Sequence, residues 1–284
     1  MRPVKKNISD LWLNYQPGDT IKREHIQNGL IDTLGYYCSY CEMPLGGHEI
    51  EHHRHLKTWQ KNVTRDHWNN LLLSCKDCRD HIAKEELSPA EKNNMLWPDE
   101  HATFTLDGKS PFVYQQREMR YMVFDHENNV HVDETKKLVF LTPNPAAGPE
   151  MYNKAKNTID HFQLNMRKDY YTEGSNVMVV PYHHHHQRID NRTFERTKAW
   201  EEAEASFNRL QQVSGHPDSQ KFPQITEMMH DQISATSYFK GNWSVWMTVF
   251  NQLSPNNHAL LHRLFLKDQR YFKGIDIDKL KLNL

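Results

Sequence analysis

The chain has no apolar run approaching the roughly 20 residues that a membrane-spanning helix requires. Behind Arg2, Lys5 and Lys6 there is no apolar stretch of the kind that makes a secretion signal. These absences exclude an integral membrane protein and set a cytoplasmic location as the expectation. An excess of one charge is missing too: 35 basic residues face 36 acidic ones, and residues 1–100 hold 13 Lys+Arg against 15 Asp+Glu. The broad basic surface that attracts polyphosphate is therefore excluded, and a nucleic-acid partner would need local clustering, a bound cation or a second subunit to draw it in. Cysteine is scarce. Four residues, none of them after Cys78, are too few for a disulfide scaffold. What remains, 37% hydrophobic and 25% charged over 284 residues, suits one large or two ordinary folded domains.

The placement of the four cysteines is informative. Cys38 and Cys41 form one C-x2-C pair, Cys75 and Cys78 a second, with 33 residues between them. Each pair makes a knuckle that turns two thiolates to one side, and two knuckles complete a tetrahedral zinc site. The competing reading, a thiol–disulfide pair, belongs to single C-x2-C motifs on a thioredoxin-like turn. Structural zinc is the expected cofactor, and its binding would be part of folding.

The insertion between the pairs is longer than in a simple zinc ribbon. Residues 47–55, Gly-His-Glu-Ile-Glu-His-His-Arg-His, read as a short strand on which the neighbours Glu51 and His52 face opposite sides. Trp68-Asn69-Asn70-Leu71-Leu72-Leu73-Ser74 leads into the second knuckle, and residues 78–86 have helical composition ending before Pro89. The order is that of a zinc-stapled ββα unit. Metal-assisted phosphodiester hydrolysis uses a neutral imidazole as base, a carboxylate to hold a divalent cation and a group that orients the imidazole. His52, Glu51 and Asn70 suit those roles; equally, His52 and His53 suit the surface of a hairpin and Asn70 a turn.

The run Cys38-Ser39-Tyr40-Cys41-Glu42, Ile50-Glu51-His52 and Trp68 to Cys78 resembles the HNH (His-Me finger) endonucleases. Among them it is most similar to the PtuB-like subfamily of Septu anti-phage defence, some members of which are retron-associated. Met1-Arg2-Pro3-Val4, Leu96-Trp97-Pro98-Asp99, Asn157 to Asp160 and Asp190 to Trp200 extend the likeness weakly to about residue 210. The resemblance implies that His52 is the general base, that Glu51 ligates a catalytic magnesium or manganese and that Asn70 holds loop and imidazole in register. It also implies a partner ATPase of the PtuA type, with DNA as substrate. The family places Asn or His directly after the last cysteine. Here that residue is Arg79, which has no lone pair for a cation. His81, or after it Asp80, is the candidate replacement ligand. The family's Pro-Lys after the Glu-His pair is replaced by His55-Leu56, with Lys57 following. These departures keep two alternatives open: an RNA (tRNA) nuclease of the same fold, and a non-catalytic zinc-binding adaptor.

Further along, residues 96–107 and 119–132 read as extended, the latter as a hairpin around Asp125 to Asn129. Pro143 to Pro149 is a breaker cluster and the best linker candidate. Helical patterns follow. One is capped by Asp190 or Asn191, repeats through Trp200, Ala203, Phe207 and Leu210 and ends at Gly215; others span 224–238 and 255–272. His183 to His186, after a strand-like 177–180, reads as a solvated loop rather than a metal site. Met228-Met229, Trp243, Trp246 and Met247 read as core or interface, and residues 239–243 as a weak base-stacking candidate. The expected class is α+β: an HNH finger over residues 1–100, an extended hairpin connection over 101–142 and a helical, partner-docking part over 150–284.

Overall fold

A computed structural model describes residues 1–6, 20–45, 63–64, 68, 71–79, 88–125, 130–165, 171–172, 177–179, 192–268 and 271–282. It is a mixed α/β chain in which helices predominate. In order come β1 (Thr20–Ile21), α1 (Arg23–Leu34), β2 (Val63–Thr64), α2 (Pro89–Asn93), β3 (Phe112–Asp125), β4 (Val130–Pro143), α3 (Pro149–His161), β5 (Tyr171–Thr172) and β6 (Val177–Val179). Then follow α4 (Arg192–Gly215), α5 (Pro217–Lys221), α6 (Pro223–Lys240), α7 (Trp243–Leu253) and α8 (His258–Phe265). β1 and β2 form a two-stranded sheet, and a four-stranded sheet has the order β4-β3-β6-β5.

The hairpin is antiparallel from Phe112↔Pro143 to Asp125↔Val130, so it reaches well beyond the expected 119–132. Its base is anchored because Phe112 and Tyr114, two residues apart, share a buried face with Val139 and Leu141 of β4 in the same core. β4 is an edge strand, and its outward backbone groups find side-chain partners. The Val139 amide donates to Thr197 Oγ1 (2.9 Å), while Asn165 both accepts from the Leu141 amide and donates to its carbonyl (2.8 Å each). Those bonds seat the edge against α4 and the exit of α3.

Residues 96–107 are not extended. The amides of Glu100 and His101 both bond the Trp97 carbonyl, and Asp107 accepts from Thr105 Oγ1 and the Lys109 amide. Short-range bonds to polar side chains win there over a strand ladder. Pro143 to Pro149 does break the chain, but as a pinned turn: Asn144 caps the 3-10 turn Pro145–Ala147 and donates to the carbonyls of Gly108 and Ser110.

α4 carries the repeat read from the sequence, with Trp200, Ala203, Phe207 and Leu210 buried at spacings of three and four. The pattern over 255–272 yields a shorter helix, His258–Phe265, started by the Asn257 side chain and closed where the amides of Leu266 and Lys267 share the His262 carbonyl. Trp243, Trp246 and Met247 lie in the core on α7; Met228 and Phe239 are exposed. α7 buries most of its residues from Trp243 to Phe250, while Gln252 and Leu253 at its end are exposed. One hydrophobic cluster runs from Met1 and Val4 through the knuckles to α7, α8 and Leu280. Among the described residues no helix is long and apolar enough to cross a membrane.

Candidate metal centre

The four cysteines meet. Their sulfurs all lie within 4.8 Å of one another, all four residues are buried, and Cys41 Sγ is 3.6 Å from Cys75 Sγ. Thiolates at about 2.3 Å from a tetrahedral zinc stand about 3.8 Å apart, so the donor set fits that ion in number, type and spacing. Both knuckles are built by local backbone bonds. The Glu42 amide donates to the Cys38 carbonyl and the Cys38 amide to that of Met43 (3.0 Å each), while the Arg79 amide donates to the Cys75 carbonyl (2.9 Å) and the Cys78 amide approaches Cys75 Sγ (3.5 Å). The Ser39 amide, on the Leu73 carbonyl at 2.9 Å, ties one knuckle to the other.

Burial opposes charge on Cys38, Cys41 and Cys78. In spite of it, the neighbouring sulfurs hold Cys38 well below the ordinary thiol value through hydrogen bonds. For Cys41 and Cys78 burial dominates, and the bonds from their neighbours help drive both well above it. A divalent cation would favour the thiolate form of all four, which is how metal binding becomes folding energy.

The first knuckle turns at Glu42, whose φ of 63° is a left-handed conformation that ordinarily favours glycine. The carboxylate explains the choice. Glu42 Oε1 pairs with the Met1 ammonium at 2.7 Å and accepts from the Tyr114 hydroxyl at 3.1 Å, and Oε2 accepts the Ser244 amide at 2.8 Å, at the start of α7. Burial alone would push this carboxyl up; the Met1 ammonium and the Ser244 donors outweigh it and hold it below the usual carboxylate range. The close approach also demands a glycine on the helical side: a Cβ at Gly241 would stand 2.7 Å from the Glu42 carbonyl oxygen.

The segment before the second knuckle has its own clamp. Lys6 Nζ, buried with Asp99 at 3.1 Å, donates to the carbonyls of Leu71 (2.8 Å) and Trp68 (3.3 Å), which flank Asn69–Asn70 in sequence. Met1 to Lys6 is itself held on two sides, by Val4 amide to Pro98 carbonyl and by Lys5 amide to Gly274 carbonyl. The opening residues and Leu96 to Asp99, noted separately in the sequence, are thus neighbours in space. Around the first knuckle, Tyr40 stacks on Phe162 with centroids 4.3 Å apart, and Trp97 meets both rings edge-on.

The cysteines apart, the sequence candidates Glu51, His52, Asn70, Asp80 and His81 lie outside the described residues, as do the strand over 47–55, most of the helix over 78–86 and His183 to His186. Arg79 is described, at intermediate exposure, on the short helical turn 76–79. Sequence reading missed Glu42, Lys6 and Arg192. Glu42 carries no warning signal except a non-glycine where a knuckle prefers glycine; the other two act on residues too distant for any local pattern to reveal.

No family model matches the chain, and no curated protein or solved structure matches it either.

Proposed function

We propose that this chain is the nuclease subunit of an HNH-type anti-phage defence complex, hydrolysing phosphodiester bonds of DNA beside a partner ATPase. The observation that supports this most is the closure of the 33-residue insertion: its two ends meet at a single four-sulfur cluster fit for zinc. A stapled loop carrying Glu51-His52, with Asn70 at its exit, is the sequence order of a ββα metal finger. In this reading His52 removes a proton from water, whose oxygen bonds to phosphorus as the bond to the 3′ oxygen breaks, and Asn70 keeps the imidazole aligned. Glu51, with His81 or Asp80, would hold magnesium or manganese. That ion would supply charge neutralisation at the leaving oxygen. Lys6 ties down the carbonyls of Trp68 and Leu71, the described residues on either side of Asn69–Asn70 in the sequence. The near-zero net charge suits a subunit that relies on its partner to gather substrate.

The test co-expresses the chain with the ATPase of its gene neighbourhood and offers the complex plasmid or total tRNA, with EDTA and with added manganese. Expected is metal-dependent plasmid cleavage that His52→Ala slows by about 10²–10⁴-fold while zinc content and melting temperature stay unchanged. Retained cutting in His52→Ala rejects the base assignment. Preference for tRNA replaces DNA by RNA as substrate. A wild-type complex with zinc and no metal-rescued cleavage is the adaptor that Arg79 keeps in view.

A further inference from the structure

The geometry points to Arg192, the first residue of α4, as a positioning residue of the four-cysteine metal centre: its guanidinium donates to the Cys78 sulfur and thereby steadies the metal-holding arrangement of the second knuckle. This rests on the reading of the cluster as a metal site. Arg192 is only 2% exposed although it is 114 residues from Cys78 in sequence. Its Nη1 stands 3.3 Å from Cys78 Sγ and 3.0 Å from the Phe162 carbonyl, and Nη2 donates to the Gln163 carbonyl at 2.8 Å. The rigid planar fork therefore joins the second knuckle to the end of α3 in one grip. Phe162, whose carbonyl it holds, is the ring stacked on Tyr40 of the first knuckle, so the same side chain is linked to both halves of the cluster.

The charge arithmetic gives the contact a purpose. Four thiolates around a divalent zinc carry a net charge of −2, in a pocket where all four cysteines are buried. A cation donating directly to one sulfur removes part of that excess without itself being a ligand, since a guanidinium has no lone pair to offer. Partners of this kind, behind the ligands, commonly alter metal affinity by about 10–100-fold.

The fold supplies its own control one turn later. Arg196 is also buried, and its guanidinium donates to the carbonyls of Val139 and Leu164 and to Asn165 Oδ1. It serves the same helix exit through backbone and amide acceptors. Replacing it reports what loosening that exit does; replacing Arg192 reports that and the sulfur contact together.

The experiment uses the full chain loaded with zinc or with cobalt(II). It follows transfer of the metal to a chromophoric chelator and the sulfur-to-cobalt charge-transfer absorption. Arg192→Gln should release metal about 10–100-fold more readily than wild type and displace the charge-transfer band. Arg192→Lys, which keeps the charge and loses the fork, should fall between the two and covers the case in which the glutamine variant does not fold. Arg196→Gln should lower the melting temperature while leaving release and absorption at wild-type values. Wild-type release and an unmoved band in the Arg192 variants overturn the inference, as does an equal effect from Arg196→Gln. A wild-type chain that takes up neither ion sinks the metal reading and the inference with it.

Discussion

The region around the knuckles and the helices after Pro149 are held together in different ways. Residues 1–6, 36–45 and 71–79 contain almost no regular structure; bonds between distant backbone groups, the buried Lys6–Asp99 and Met1–Glu42 pairs and the sulfur cluster fix their shape. From α4 to α8, helices pack apolar stripes around Trp246, Phe250 and Phe265. The first kind of region can place chemical groups at exact angles with few residues, but it depends on a handful of strong contacts. The second spreads its stability over many weak ones, so no single loss there need be decisive.

The strongest way to break this contrast is to take the metal away. Structural zinc in comparable small sites is worth on the order of 10 kcal/mol of folding free energy. Chelation, or Cys75→Ser, should therefore cut amide hydrogen-exchange protection over 36–45 and 71–79 by more than about a thousandfold, well within that free energy. Protection in α7, carried by Trp246, Val249 and Phe250 in the apolar core, should fall far less. Equal losses in both regions would mean that the helices, too, stand on the cluster.

The two regions also differed in what their residues disclosed. The cysteine pairs were legible because a knuckle is a local device, and their convergence followed from tetrahedral coordination. α4 was legible because burial on one face writes a spacing of three and four into the chain. α7 carries a pattern as well, with Ser244, Thr248, Asn251 and Gln252 along one side of an otherwise apolar helix, but its density of large apolar residues reads first as buried core. α1 was missed: Ile26, Leu30 and Leu34 are buried, but they are interleaved with polar residues and Gly29, and its N-terminus has no side-chain cap to mark it. Lys6 and Arg192 could not be assigned from sequence. A cation on a surface and one buried across the core look alike until the fold brings their acceptors up, from 65 and 114 residues away.

A sharper probe is Glu42→Gln, which removes one charge at the junction of the two regions. The Met1 ammonium would keep only the Tyr114 hydroxyl, and since burial already lowers its pKa the loss of a proton would soften the cost of breaking the pair to no more than about 3–5 kcal/mol. The pH dependence carries the sign. The folded carboxyl sits below its ordinary value of 4.5, so its contribution is fully present above that pH and is lost as pH falls through the lower folded value. Urea midpoints of the wild type should accordingly drop on acidification below about pH 4.5, and those of Glu42→Gln should start lower and fall less steeply. Parallel curves would show that the acid sensitivity arises elsewhere.

The smallest expected effect comes from a pair with the same chemistry and a different setting. Lys281 Nζ reaches Asp107 Oδ2 at 2.8 Å, but the side chains are 56% and 28% exposed. Slight burial works against the Asp107 carboxylate, yet Lys281, the Thr105 hydroxyl and the Lys109 amide together bring it down to about 2. Its contribution therefore persists to more acid pH than that of an ordinary aspartate, before being lost as pH falls toward 2. Solvent screens the pair, however, and exposed ion pairs contribute about 0–1 kcal/mol. Lys281→Ala should shift the urea midpoint by no more than that range allows, and by less still in 1 M salt, where the screening length shrinks to about 3 Å. Glu42→Gln should keep most of its penalty in the same buffer, because water and ions do not reach the Met1 ammonium. If the two variants respond to salt alike, burial is not what separates the knuckle region's ion pairs from those at the surface.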